Sequence, residues 1–526
     1  MQLDPNWLAA FIAVPGVAAS LGLLFTGWGL RRSVAWQYRL ALLGSLLNLA
    51  VSIPVLMTTQ AGTRLVLQMG LYQAPFGITL MADALSAVMV FFTALLAVTT
   101  LLYARGTLDD RDHLNFFPLL LLLIMGVNGA FLTGDMFNLY VFFEVLLVGS
   151  FTLLTLGGQI GQINGGIRYV LLNMLASTFF LAAAGVIYGT TGTLNMAQVA
   201  ERIPGTPPSV QLLIAGLLMV AFSTKAGLFP LFFWLPASYH TTHPAVTALF
   251  GGLLTKLGVY TLFRIYPLVF PDLLQEWQGF IFVVAALTMI TGIFGAMAVN
   301  TMRRVLSFHI ISQVGYMIMG LGLAATGDPT LATFGLAAGI LYVVHQMLIK
   351  TAILMAGGAA ELEAGSGSLL RVRMAGLRQR APVLAVIFFV AAMSLAGLPP
   401  SSGFVSKLSL LQGAIDAGHW AIAAVSLVVS FFTLMSMLRI WQKAFWGYPD
   451  PESQAPSRIA APGRQWLTLS PIALLLVFSL WIGIFSGPAL QWFDTAAAQA
   501  LDRAGYIQAV APTNTIEYLG GSYDAK

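Results

Sequence analysis

The chain has 526 residues, of which 58% are hydrophobic and only 9% charged, with a mean hydropathy of +0.84. A soluble domain carries about 25% charged residues, so this composition excludes a water-soluble globular protein and fits a polytopic membrane protein whose helices face lipid or one another. The net charge is +5, but the basic residues are spread as topology signals and imply no nucleic-acid partner. There are no cysteines, which excludes disulfides, thiolate metal sites and iron–sulfur ligation.

In chain order the apolar runs give fourteen expected spans, near 6–28, 40–58, 79–102, 114–133, 135–156, 169–190, 210–234, 244–266, 277–298, 305–324, 332–356, 382–412, 420–446 and 467–488. Each is close to the roughly 20 residues that cross a bilayer as a helix. The N-terminal MQLDPNWLAAFIAV has no basic leader region, so the first run reads as a retained helix and not as a cleaved signal. Spans four and five meet at a tight joint, Gly134, and spans seven and twelve carry helix breakers. The expected fold is all-α, a polytopic membrane protein.

The basic residues test this count. Sixteen fall on one side: Arg31, Arg32, Arg39, Arg105, Arg111, Arg168, Arg303, Arg304, Arg371, Arg373, Arg378, Arg380, Arg439, Lys443, Arg458 and Arg464. Five fall on the other: Arg64, Arg202, Arg264, Arg503 and Lys526. The positive-inside rule makes the first side cytoplasmic. Both termini are then expected on the outer side, in the inner or plasma membrane of a prokaryote. The polar stretches 357–381, 447–466 and 489–526 are too short for a soluble domain, although the tail can form a short surface helix outside. No GxxxxGK[ST] loop occurs and no GxGxxG follows a strand. No cofactor or metal is expected, and the energy source is an ion gradient or another subunit.

Glu144 sits near the middle of GDMFNLYVFFEVLLVGSFTLLTLGG, residues 134–158. A carboxylate at mid-bilayer costs on the order of 3 kcal/mol or more, so it marks function. It is the only carboxylate expected deep in a span. Asp83 and Asp135 fall near helix starts, where Asp135 suits the helix dipole. Against Glu144 stand Lys225, Lys256 and Lys407, with Lys350, His309 and His345 as further polar members. Lysine and histidine titrate readily when buried and arginine does not. A Glu–Lys pair stabilises both charges, and disturbing it releases the lysine proton. A file of such groups linked by water passes protons. Structural roles compete at each position: Glu144 and Lys225 can lock packing, and Lys350 can snorkel to the interface. His240 and His243 lie at a span boundary, where proton uptake and a local role both fit.

Two breakers lie beside lysines, in KAGLFPLFFWLP (225–236) and SLAGLPPSSGFVSK (394–407). At membrane depth such interruptions survive only inside protein or beside a polar cavity. Paired ones in corresponding halves point to a transport site. They lie five spans apart, so spans 4–8 and 9–13 are expected to form two inverted five-helix repeats. The chain then divides into a three-helix segment, 1–113, the two repeats, 114–266 and 267–446, and a last helix with its tail, 447–526.

GDMFNLYVFFEV, AFSTKAGLFPLFFWLPASYHTTHPAV, LLTKLGVY, RRVLSFHIISQVGYM and LAGLPPSSGFVSKLSLL resemble segments of the antiporter-like membrane subunits shared by respiratory complex I and the Mrp-type multisubunit sodium/proton antiporters. The resemblance covers essentially residues 1–490. It leans to the Mrp branch, because Lys407 stands where the corresponding complex I subunit commonly carries Glu. It implies fourteen helices, two inverted repeats and a central polar axis. It also implies a proton relay in which Glu144 pairs with Lys225, Lys256 lies between the half-channels, His345 continues the axis and Lys407 stands at the exit, with His309 assisting. The expected function is proton translocation within a multisubunit Na+/H+ antiporter, a secondary transporter and not an enzyme. The expected partners are other membrane subunits, the lipid bilayer, and H+ and Na+ as substrates. With one deep carboxylate the chain offers little to sodium, so the sodium path is expected mainly in a neighbouring subunit. The alternatives are a pump module of a complex I-type or membrane-bound hydrogenase complex, a structural subunit with vestigial charges, and a module for bicarbonate or CO2 uptake.

Overall fold

The computed structural model describes residues 3–27, 30–108, 114–370, 374–447 and 462–510. Arg111, Arg371, Arg373, Arg458 and Lys526, which enter the orientation argument, lie outside the described residues, as does the side chain of Arg31. The chain opens with α1 (Trp7–Leu24) and α2 (Leu30–Gln60), then a hairpin of β1 (Leu65–Gln68) and β2 (Thr79–Ala82) with Leu65 opposite Ala82. Next come α3 (Ala84–Thr107), α4 (Phe116–Leu132), α5 (Met136–Thr155), α6 (Ile160–Thr191), α7 (Met196–Arg202), α8 (Pro208–Ala226), α9 (Trp234–Ser238) and α10 (Pro244–Val269). After a short α11 (Pro271–Glu276) follow α12 (Gln278–Ala298), α13 (Met302–Ala324), α14 (Pro329–Ala364), α15 (Leu377–Arg380), α16 (Pro382–Ala396), α17 (Ser402–Asp416) and α18 (Trp420–Ile440). The last elements are α19 (Pro462–Ile484), α20 (Ser486–Leu501) and α21 (Arg503–Val510). Among the described residues, 12 helices are long and apolar enough to cross a membrane, and α4 and α16 are shorter apolar helices.

Polarity sorts these helices from centre to rim. The least apolar long helices, α10, α13 and α14, are among the most buried, whereas the strongly apolar α1, α2, α6, α12 and α18 are mostly uncovered. Every residue of α10 is buried. This is the arrangement a bilayer selects: lipid accepts leucine and phenylalanine, so polar side chains turn toward other protein.

Local geometry recurs along the chain. At the joint before α5, Met136 N–H donates to Leu194 O (2.8 Å) and Met196 N–H to Gly134 O (2.8 Å). At the joint before α13, Met302 N–H donates to Gly367 O (2.9 Å) and Leu369 N–H to Asn300 O (2.9 Å). Close helix contacts recur too. A Cβ at Gly126 would stand 2.9 Å from Leu146 N, and one at Gly292 2.3 Å from Ser312 N. The second pair follows the first by the same sequence displacement at both residues. The two breaks also match. Gly227 (φ 78°) ends α8 and Gly397 (φ 92°) ends α16, each followed by a cis peptide, Phe229–Pro230 and Pro399–Pro400. The twelfth expected span, 382–412, is therefore two helices, α16 and α17, on either side of a break.

Two expectations change. Arg264 is not an interfacial loop charge. It lies within α10, and its guanidinium grips Asp83 with two hydrogen bonds of 2.6 and 2.7 Å. Asp83 is fully buried and caps α3 through Ser86, so Glu144 is not the only carboxylate taken from water. The tail forms a helix, α20, and packs onto the bundle. Gln499 of α20 accepts from Ala84 N–H (2.8 Å) and donates to Thr59 O (3.1 Å), which fastens α20 over the ends of α2 and α3.

The pair makes a testable demand. Asp83→Ala leaves a buried, unpaired guanidinium and is expected to cost about 3–5 kcal/mol, read as loss of folded protein and a lower unfolding midpoint in detergent. Adding Arg264→Leu removes the orphan charge and is expected to restore most of that stability.

Candidate functional site

Glu144 lies on the flank of α5 that also exposes Phe137, Val141 and Val148. The residue is half-buried, and its inward Oε1 has no protein hydrogen-bond partner. Asp135 is the N-cap of α5, accepting from Asn138 N–H at 2.8 Å, a local role that follows from its place at the helix start.

Lys225 is in the last turn of α8, where the break begins. Its Nζ donates to Ser177 Oγ of α6 (3.3 Å) and stands 4.8 Å from the centre of the Phe143 ring. Glu144 and Lys225 interact electrostatically, but no ion pair of 4.0 Å or less joins them. The expected pair is therefore open in this structure. Trp234 Nε1 bridges the break by donating to Thr224 O (2.9 Å). At Gly258 a Cβ would meet Ala226 N at 2.4 Å, so α10 presses directly on the end of α8.

Lys256 is fully buried on α10 and donates to Gly251 O of its own helix. His309 on α13 contacts Ser436 Oγ through Nε2 (2.9 Å) and leaves Nδ1 without a protein partner. His345 on α14 contacts Ser402 Oγ through Nδ1 (2.8 Å) and leaves Nε2 free of protein partners. Lys407 on α17 reaches back over the second break to Ala396 O (3.0 Å), with its Nζ 5.2 Å from the centre of the Tyr316 ring.

Lys350 is the ambiguous lysine of the sequence. It does not snorkel: it is 0% exposed, its Nζ has no protein partner, and its electrostatic neighbours are Lys256 and Lys407. Beside it, Tyr342 OH and Gln346 Nε2 both turn to Gln313 Oε1. Neither glutamine carries a signal in the sequence, because an amide in an apolar run is unremarkable without its neighbours. His240 and His243 stand apart from this cluster. His240 Nδ1 is 2.9 Å from Pro236 O, and His243 caps α10 by accepting from Ala245 N–H (3.2 Å). Among the described residues no group of three His, Asp or Glu can hold a metal ion.

Seven buried polar atoms on α10, α13 and α14 have no protein partner: Thr255 Oγ1, His309 Nδ1, Ser312 Oγ, Gln313 Nε2, His345 Nε2, Gln346 Oε1 and Lys350 Nζ. The three helices pack on one another. A buried polar group left unsatisfied costs about 1–3 kcal/mol, and buried groups of this kind are normally satisfied by water. These atoms mark α10, α13 and α14 as helices whose buried polar groups call for partners beyond the protein.

The family described as "NADH:quinone oxidoreductase/Mrp antiporter, TM" matches residues 133–433. The chain belongs to this family. Over 502 residues it is 39% identical to the D subunit of the Na(+)/H(+) antiporter of Alkalihalophilus pseudofirmus, covering 95% of this chain and 98% of that one. In three dimensions it matches a chain of the Mrp complex from Dietzia sp. DQ12-45-1b with a TM-score of 0.86 and 34% identity, over 97% of this chain and 100% of that chain. A chain of respiratory complex I from Thermus thermophilus matches with a TM-score of 0.78 and 25% identity, over 94% and 99% of the two chains. As a member of the NADH:quinone oxidoreductase/Mrp antiporter family, the protein is a multi-pass membrane protein.

Lys350 separates stability from function. Replacing its unpartnered amine by a similar apolar chain, Lys350→Met, is expected to stabilise the fold by about 1–3 kcal/mol, measured as a raised unfolding midpoint. If the amine serves ion movement, the same change lowers ion exchange in membrane vesicles. A destabilised variant would mean that the amine holds the packing.

Proposed function

We propose that this chain is the proton-translocating membrane subunit of a multisubunit monovalent-cation (Na+)/H+ antiporter. The observation that carries the reading is the set of unpartnered buried polar atoms on α10, α13 and α14, which includes a nitrogen of His309, a nitrogen of His345 and the Lys350 amine. Titratable groups on neighbouring helices, linked by water among these atoms, pass protons by repeated short hops. The likeness to a Na(+)/H(+) antiporter chain supports the assignment to an antiporter.

On this reading protons pass along Lys225, Lys256, Lys350, His345 and Lys407, with His309 beside the path. Lys350 joins the residues expected from sequence because it stands electrostatically between Lys256 and Lys407. Glu144 controls Lys225. With the two apart, Lys225 holds to Ser177; drawing them together stabilises the ammonium, and separating them favours release of its proton. The recurring joints, glycine contacts and breaks support treating 114–266 and 267–446 as related units, each supplying one half of the path. The excess of basic residues supports a cytoplasmic side with both termini outside. Other membrane subunits are the partners, and the sodium path lies mainly in one of them, since sodium wants several hard oxygen ligands and this interior is rich in amines.

A redox-driven pump module is the second reading, favoured by the match to a complex I chain. The subunits that copurify in mild detergent decide between the two: small membrane subunits alone favour the antiporter, and iron–sulfur or quinone-binding partners favour the pump.

In inverted membrane vesicles, Glu144→Gln or Lys225→Ala is expected to abolish sodium-dependent dissipation of ΔpH while the complex still assembles. Activity retained in either variant refutes the role given to that residue.

A further inference from the structure

A buried polar string joins the site from α19, a helix outside the two five-helix units. Ser479 is 1% exposed, and its Oγ lies 2.7 Å from Ser402 Oγ and 3.1 Å from Ser394 Oγ. Ser402 Oγ lies in turn 2.8 Å from His345 Nδ1. The three hydroxyls come from α16, α17 and α19, so the string ties both sides of the second break to the last long helix. From Gln465 to Ile484 the sequence has no ionisable residue, and the α19 group that joins the string is the Ser479 hydroxyl. The approach is close: a Cβ at Gly483 would stand 2.1 Å from Pro400 O.

Each serine hydroxyl donates once and accepts, so the string has two polarities. In one, Ser394, Ser479 and Ser402 donate in turn toward Nδ1, and the neutral ring carries its proton on Nε2. In the other, Nδ1–H donates to Ser402, which donates to Ser479, which donates to Ser394, and Nε2 is a bare acceptor. The charged groups acting on the ring are Lys407 on α17, Lys350 on α14 and Lys256 on α10. The Tyr342 ring stands 5.6 Å away, and His309 on α13 acts within reach of Lys350 and Lys407. When protonated, each of these amines is a donor only. An acceptor Nε2 complements them, whereas an Nε2–H would set donor against donor.

We propose that Ser479 is a positioning residue of the proton relay: acting through Ser402, it holds the proton of neutral His345 on Nδ1 and reserves Nε2 for exchange. The inference rests on the relay reading above. In the step it serves, an N–H bond forms at Nε2 as one breaks on the donor ammonium. The same N–H bond then breaks toward the next acceptor, and Nδ1–H stays on Ser402 throughout.

The test is sodium-dependent proton exchange by the complete complex in inverted vesicles, measured across pH, for Ser479→Ala, Ser479→Thr and His345→Gln. Ser479→Ala is expected to slow exchange roughly tenfold, the scale seen when a group orienting a functional histidine is lost, and to shift the pH profile. Ser479→Thr, which keeps the hydroxyl, is expected to restore both. An unchanged rate and profile in Ser479→Ala overturns the proposal. So does a loss that leaves the profile in place and is not rescued by threonine, since that is a packing effect. Wild-type exchange in His345→Gln sinks the relay reading itself and this inference with it. Impaired exchange in His345→Gln beside an unaffected Ser479→Ala sinks the inference alone.

Discussion

An amine cannot sit dry and unpaired inside a membrane. It must lose its proton, find a counter-charge or keep water beside it. This chain places Lys225, Lys256, Lys350 and Lys407 among its spans and sets only Glu144 electrostatically against Lys225. The architecture follows from that demand. The helices that carry Lys256, His309, His345 and Lys350 are withdrawn to the centre, where each helix faces another polar helix. Most of the strongly apolar helices form the rim, with α3 the buried exception. The buried Asp83–Arg264 pair is the contrasting solution to the same problem. Two opposite charges with near-ideal bidentate geometry satisfy each other, so that site fixes α3 to α10 and leaves no proton to move. The lysines have no carboxylate in contact.

The two breaks show how backbone serves these amines. In sequence the lysines look mismatched, since Lys225 precedes its break and Lys407 follows the other. In space both amines stand at a break. Lys225 is one residue from the end of α8, and Lys407 reaches back to the carbonyl of Ala396, the last residue of α16. A helix end frees carbonyls that an uninterrupted helix consumes, and one of these holds the Lys407 amine. At the first break Lys225 uses the Ser177 hydroxyl instead. The two lysines thus reach the two breaks from different sequence positions, which a comparison of motifs alone misses.

Most spans are legible in the sequence because length and apolarity are one-dimensional properties, and a bilayer reads them directly. Glu144, Lys225, Lys256 and Lys407 stand out for the same reason: a charge in an apolar run is conspicuous. Depth is harder to read. The apolar run at 332–356 puts Lys350 near the end of its span. The helix runs Pro329–Ala364, so its true end lies further on and Lys350 falls in the interior. Asp83 and Arg264 each sit at the edge of an apolar run and look like interfacial charges, and a contact across 181 positions has no local signature. Ser479 is invisible for another reason. A serine in a membrane helix commonly satisfies its hydroxyl on a carbonyl one turn back, so only its position between Ser402 and Ser394 distinguishes it.

Glu144 differs from every other member of the site. Lys225, Lys256, His309, His345 and Lys350 are buried and Lys407 is partly so, whereas this carboxylate lies on an outer flank among exposed Phe137 and Val141, with one oxygen turned in. It acts on Lys225 through space and not through contact. An interaction of that kind depends on the medium between and around the charges, and it strengthens as water is excluded. On the relay reading, a neighbouring subunit seated on this flank would change how strongly Glu144 holds the charge on Lys225 without touching the lysine. An external contact then becomes an internal change of proton affinity at the start of the path. The half-exposed position, which would be a poor choice for a buried structural ion pair, is the position such a coupling requires.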